Sequence, residues 1–185
     1  LGLRLAGCSR STFPMMKAKS IHCIASLGLG LALGQAADPV RDRVAKGVAA
    51  ELPSLVSLYK HFHANPELSF MEVETARRMA AELRDAGLTV TTGVGGHGLV
   101  GVLKNGPGPT LLIRADMDAL PVREETGLPH ASKKQVTDEH GNTVHTMHAC
   151  GHDVHMTSFV GTARLLGQLR DAWSGSLVMI GQPAE

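Results

Sequence analysis

Between positions 110 and 115 the chain reads Thr-Leu-Leu-Ile-Arg-Ala, with three large apolar residues side by side instead of alternating with polar ones. Successive side chains of a strand point to opposite faces. Leu111-Leu112-Ile113 therefore predicts a strand buried on both faces, as in a sheet covered by helices. Ser176 to Ile180 reads as another buried strand. The segments around these runs have helical spacing. Asp38 is a candidate cap with Pro39 at the first helical position, and apolar residues recur at Val40, Val44, Val48, Leu52, Leu55, Val56, Tyr59 and Phe62. Pro53 is expected to interrupt this stretch or to restart a second helix. A further helix over 71–86 carries Val73, Ala76, Met79, Ala80 and Leu83 on one face, and Gly87 suits the left-handed position that closes it. Three β-rich runs follow at 88–92, 98–103 and 110–115; Asn105-Gly106-Pro107-Gly108 separates the last two as a hairpin or loop. After a polar loop over 121–145, Asp153 can cap a helix bearing Met156, Phe159, Val160, Ala163, Leu166 and Leu169. Helices alternating with buried strands predict a layered α/β domain.

Composition narrows the partners. The 185 residues carry a net charge of +1 with no block of like charge, and only six aromatics (four Phe, one Tyr, one Trp), too few to stack on bases. Nucleic acid is not an expected partner. Lys17 and Lys19 precede an apolar-biased run over 21–33, and Gly34-Gln35-Ala36-Ala37 follows it. This order predicts an export signal over about 15–36, cleaved after Ala36 or Ala37, and a periplasmic or secreted product. The run is too short for a membrane span, which needs roughly 20 apolar residues. Leu5-Ala6-Gly7-Cys8 resembles a lipoprotein cleavage box, but no apolar stretch precedes it here, and the later signal is preferred. The domain reading is thus 1–37 as upstream residues and signal, and 38–185 as a folded domain. Export would remove Cys8 and Cys23 and leave Cys150 without a disulfide partner: a buried small residue, a nucleophile or a metal ligand.

Histidine is the informative excess: ten in all, five of them between His140 and His155. In Met147-His148-Ala149-Cys150-Gly151-His152-Asp153-Val154-His155, Cys150 and His152 would share a face if the segment were extended. A helix starting just beyond them supplies partial positive charge that suits a metal-binding thiolate. Thiolate with imidazole suits zinc, and also manganese or cobalt. Arg114-Ala115-Asp116-Met117-Asp118-Ala119-Leu120-Pro121 stands where the most apolar strand ends, a place where sites assemble in open α/β sheets. A carboxylate there can bind metal or fix the tautomer of a ligating histidine. Gly181-Gln182-Pro183-Ala184-Glu185 again follows a strand and offers a carboxylate placed as a general base.

In order and spacing, these strings and His63-Ala64-Asn65-Pro66-Glu67-Leu68-Ser69-Phe70 resemble the aminoacylase/carboxypeptidase family of dinuclear metallohydrolases, in particular its hippurate hydrolase and N-acyl-amino-acid amidohydrolase branch. The resemblance runs from about Leu52 to Glu185. It implies a three-layer, zinc-peptidase-like α/β catalytic domain. It also implies two divalent metal ions (zinc or manganese, or cobalt), with Cys150 and His152 as metal ligands and Glu185 as the general base. Asp118, and less clearly Asp116, match acidic positions that support the metal cluster. His63 lies in a family string but is explained equally well by local packing, and is left out of the site. The implied substrate is a small N-acyl amino acid or short peptide, cleaved at its amide bond by a full-length homodimer.

In the family a second, metal-binding glutamate follows the one matching Glu185, then two histidine ligands, further strands and an inserted dimerisation domain. None of these is in the 185 residues. The expectation is an N-terminal piece of a longer protein, with an incomplete sheet and no useful turnover of its own. Two other readings compete: a cysteine hydrolase with Cys150 as nucleophile, and a non-catalytic metal-binding module.

Overall fold

A computed structural model describes residues 38–185; the expected signal segment and the Leu5-to-Cys8 box lie outside them. The elements run in the order α1 (Pro39–Ala64), α2 (Val73–Asp85), β1 (Thr89–Val94), β2 (Gly98–Asn105), β3 (Thr110–Asp116), β4 (Gln135–Thr137), β5 (Thr143–His145), α3 (His152–Gln168), a short 3-10 turn (Arg170–Ala172) and β6 (Gly175–Gln182). The α/β expectation holds.

Asp38 caps α1 through Oδ1, which accepts the Val40 N–H at 3.0 Å. Pro53 does not break this helix, which runs unbroken through it for 26 residues. Both halves are fastened elsewhere. Gly47 lies against Leu165, Glu51 accepts from Arg164 at 2.8 Å and from Gln168 at 2.8 Å, and Leu58 and Phe62 enter the core. Packing on α3 thus outweighs the hydrogen bond that proline removes. Gly87 closes α2 in the left-handed region, as expected.

The main sheet has the order β1-β2-β6-β3. The hairpin reading of the 105–108 turn therefore fails and the loop reading stands. β6 inserts between β2 and β3, antiparallel to the first and parallel to the second. The loop packs on the start of β6, where Asn105 Nδ2 donates to Arg170 O at 2.7 Å and Trp173 O at 2.6 Å. The connection from β3 to its parallel neighbour passes through α3, the covering helix of a βαβ unit.

Among the described residues a hydrophobic core joins Leu58 and Phe62 of α1, Met79 and Leu83 of α2, Leu99 and Leu103 of β2, Met156, Phe159 and Val160 of α3, and Leu177 and Met179 of β6. In β6 every second residue is buried and the others are half-buried. The expectation that Leu111-Leu112-Ile113 is buried on both faces is corrected: β3 is an edge of this sheet, and Leu111 and Leu112 are 57% and 56% exposed. Among the described residues no helix is long and apolar enough to cross a membrane.

Candidate active site

Parallel pairing of β3 with β6, Asp116 opposite Gln182, brings the carboxyl ends of both strands to one edge. The first residue of α3, His152, arrives at the same place. Asp116, His152 and Glu185 each offer a ligand atom there, and these atoms all lie within 4.8 Å of one another. Asp116 and His152 are buried, whereas the Glu185 side chain is 57% exposed. His152 Nε2 stands 3.3 Å from Glu185 Oε2.

The imidazole is held from behind. Its Nδ1 lies 2.9 Å from the backbone oxygen of Asp118 and 3.2 Å from Asp118 Oδ1. Donation of the Nδ1–H toward Asp118 leaves the Nε2 lone pair facing Asp116 and Glu185, the tautomer a metal-binding imidazole requires. The Asp118 carboxylate is itself steadied by Ser69 Oγ, which donates to Oδ2 at 2.8 Å. Asp118, expected among the catalytic residues, is thus placed behind the ring and not at the cluster's open side. Asp116, the less certain of the two in sequence, joins the cluster. Its Oδ2 accepts from Arg114 Nη2 at 2.9 Å, while its buried Oδ1 has no hydrogen-bond partner among the described residues. An orphaned carboxylate oxygen beside a free imidazole nitrogen and a second carboxylate fits a divalent cation.

Cys150 is exposed and is not one of the three. The extended segment expected to put Cys150 and His152 on one face is not formed. Gly151 adopts φ +80° and caps α3, so the chain turns between the two residues and only His152 is buried. Asp153, expected as the cap, instead lies within the first turn of α3.

A second cluster forms around His63. His63 Nδ1 is 2.7 Å from Asp153 Oδ2 and its Nε2 is 2.9 Å from Glu124 Oε1, all three side chains being buried. Burial opposes a charged His63, but hydrogen bonds to Glu124 and Asp153 prevail and hold its pKa above the ordinary value. Glu124 is lowered: burial acts against this, and the Thr126 hydroxyl, His63 and the Ser132 N–H outweigh it. His148 is also buried, and among the described residues neither of its ring nitrogens has a side-chain hydrogen-bond partner. Burial pushes it down to about 4, with Asp153 pulling the other way. Sequence reasoning set His63 aside and did not single out Glu124. The available signal was that His63 and Asp153 both sit in strings already noted for other reasons.

A carboxylate at the end of β3, another beyond the end of β6 and an imidazole at the start of α3 thus form a candidate cation site in an α/β fold. Residues 112–185 match the model of Peptidase family M20/M25/M40. The chain is 40% identical over 137 residues to the N-acetylcysteine deacetylase of Bacillus subtilis, covering 71% of this chain and 33% of that protein. It is 41% identical over 133 residues to thermostable carboxypeptidase 2 of Saccharolobus solfataricus, covering 71% and 32%. The crystal structure of Bacillus subtilis YXEP, described as a dinuclear metal binding peptidase from the M20 family, superposes with a TM-score of 0.65 at 40% identity, covering 74% of this chain and 36% of that one. Over the matched residues the chain is similar in sequence and fold to M20 peptidases. The chain spans about a third of the length of the curated relatives it matches.

Proposed function

We propose that the whole protein is a metal-dependent amidohydrolase of the N-acyl-amino-acid branch, cleaving the amide of a small N-acyl or aminoacyl amino acid. The observation that carries this reading is the Asp116–His152–Glu185 group at the ends of β3 and β6. Two divalent cations, zinc or manganese, or cobalt, would supply Lewis acidity toward the scissile carbonyl and the attacking water. In this chain Asp116 and His152 Nε2 would hold a cation, with Cys150 a further ligand on the sequence reading. Asp118 fixes the His152 ring, and Arg114 orients Asp116. Glu185 takes a proton from the attacking water at its carboxylate and returns it to the departing amine. The names of the relatives, a deacetylase of an N-acyl amino acid and a carboxypeptidase, support the substrate class.

We also propose export, with residues 15–36 as the signal, and a homodimeric whole protein; N-terminal sequencing of the mature product and sedimentation test the two.

The activity is tested on the full-length protein with a panel of N-acetyl, N-benzoyl and aminoacyl amino acids. Hydrolysis should vanish on chelation and return with zinc, manganese or cobalt. Activity that survives chelation but not thiol alkylation would instead make the exposed Cys150 the nucleophile. Glu185→Gln should lower kcat by about 10²–10⁴-fold, the usual weight of one acid–base group.

A further inference from the structure

Glu72 is fully buried, and the reaction above does not use it. It stands immediately before α2, where its backbone oxygen accepts the Ala76 N–H at 2.9 Å. Its side chain turns away from the helix. Oε1 accepts the N–H of Phe70 at 3.0 Å and, from 112 positions away, the N–H of Ala184 at 2.8 Å. Oε2 is buried with no hydrogen-bond partner among the described residues. Phe70 and Ala184 are also the two non-glycine residues with positive φ among those described, +61° and +51°. Side chains disfavour that region, and such conformations persist where the surroundings hold them.

Ala184 directly precedes Glu185. β6 ends at Gln182, and Pro183 has no N–H, so the Ala184 N–H is the first donor beyond the strand and has no partner within the sheet. Glu72 supplies that partner. The other end of the residue is also tied: Gln182 Nε2 donates to Ala184 O at 3.2 Å, and Gln182 Oε1 accepts from Arg114 Nη1 at 2.5 Å. The torsion angles of Ala184 set the direction in which Glu185 leaves the strand.

We propose that Glu72 is a positioning residue for Glu185: its buried carboxylate clamps the Ala184 N–H and so fixes the left-handed turn that aims the Glu185 carboxylate at His152. The inference rests on the reading of Glu185 as the acid–base group.

The test compares Glu72→Ala, Glu72→Gln, Glu72→Asp and Glu185→Gln in the full-length protein. In Glu72→Ala, kcat should fall about 10–100-fold with KM within about twofold, the effect of a misplaced group on chemistry and not on binding. The acidic limb of its pH–rate profile should move. Gln keeps an oxygen at the Oε1 position, so Glu72→Gln should retain most of the activity and the parental profile. A direct readout is hydrogen exchange of the Ala184 amide in metal-free protein: slow in the parent and in Glu72→Gln, fast in Glu72→Ala. If Glu72→Ala does not fold, Glu72→Asp takes its place, because a shortened side chain cannot reach Ala184 and should show the same losses. Unchanged Ala184 exchange, unchanged kcat, or a Gln variant as impaired as the Ala variant would each overturn the clamp. Full activity in Glu185→Gln would remove the underlying reading of Glu185. An inactive Glu185→Gln beside a fully active Glu72→Ala overturns the positioning role alone.

Discussion

His148 and His63 are two buried histidines with opposite environments, and acid should distinguish them. His148 has no side-chain partner among the described residues, and its pKa is pushed down to about 4 by burial. The unfolded chain takes up a proton near 6.5 while the folded protein refuses it until about 4, so the unfolded state binds more protons in between and stability is lost as pH is lowered through that range. The full effect is about 3 kcal/mol over that window. His61 is lowered by burial as well and adds to the same limb. His63 has the reverse sign: its contribution is complete below the unfolded value and is lost as pH rises through its raised folded value. The lowered carboxylates Glu82 and Glu124 release their contribution only as pH falls through their folded values, below the ordinary carboxylate range. Chemical denaturation in the presence of chelator at pH 7, 6 and 5 should show a steady loss that His148→Leu largely removes. An unaltered slope in that variant would put the acid sensitivity elsewhere. His63→Ala, in contrast, should cost about 3 kcal/mol at pH 7, because it leaves the buried Glu124 and Asp153 carboxylates without their shared partner. A loss below about 1 kcal/mol in the same assay would mean that water or another cation replaces the imidazole. At this scale His152 and Glu185 of the candidate site were legible in the sequence, and the choice between the two aspartates was not. Asp116 and Asp118 are two residues apart on the same stretch, and only the placement of α3 decides which one meets Nε2 of His152 and which lies behind its ring.

Two helix positions that simple propensity treats alike should respond in opposite ways. Pro53 lies in the middle of α1, where it removes a backbone hydrogen bond and crowds the preceding turn. Since packing already keeps this segment helical, Pro53→Ala should stabilise the protein, by about 1–3 kcal/mol in urea denaturation. Destabilisation would show that α1 needs the local distortion to lie along α3. Gly167 lies near the end of α3, where alanine would ordinarily stabilise a helix by about 1 kcal/mol. Here a Cβ would sit 2.6 Å from the backbone oxygen of Ala86, which cannot swing aside as a side-chain tip can. Gly167→Ala should therefore destabilise by about 1–3 kcal/mol, and a neutral or stabilised variant would show that the α2–β1 turn yields freely. The helices and strands themselves were legible, because each depends on periodicity within a dozen residues. Strand order was not. Whether β2 pairs with β3 or with β6 depends on a partner some 70 positions away, and the 105–108 turn is compatible with either.

The same non-local choice decides what surface the 185-residue chain presents as a whole. With β6 in the middle, β3 becomes an edge, and its Leu111 and Leu112 are more than half exposed. The run that most strongly predicted a two-sided core thus forms an apolar border. A further row, Val40, Val44, Val48, Leu52 and Val56, recurs every fourth residue along α1 and is exposed throughout. An exposed strand edge offers unpaired backbone groups together with apolar side chains, the combination that templates pairing with another chain. The prediction is that this chain, expressed by itself, self-associates with rising concentration, and that the β3 edge dominates over α1, because a helix has no free backbone groups along its length to extend a sheet. Leu112→Lys should shift the sedimentation distribution toward monomer without lowering the unfolding temperature, since the position is exposed and a charge on an edge strand opposes pairing. Val48→Lys on α1 should have the smaller effect. A chain that remains monomeric across the concentration range would remove the premise, and equal effects of the two substitutions would assign association to general apolar exposure and not to the strand edge.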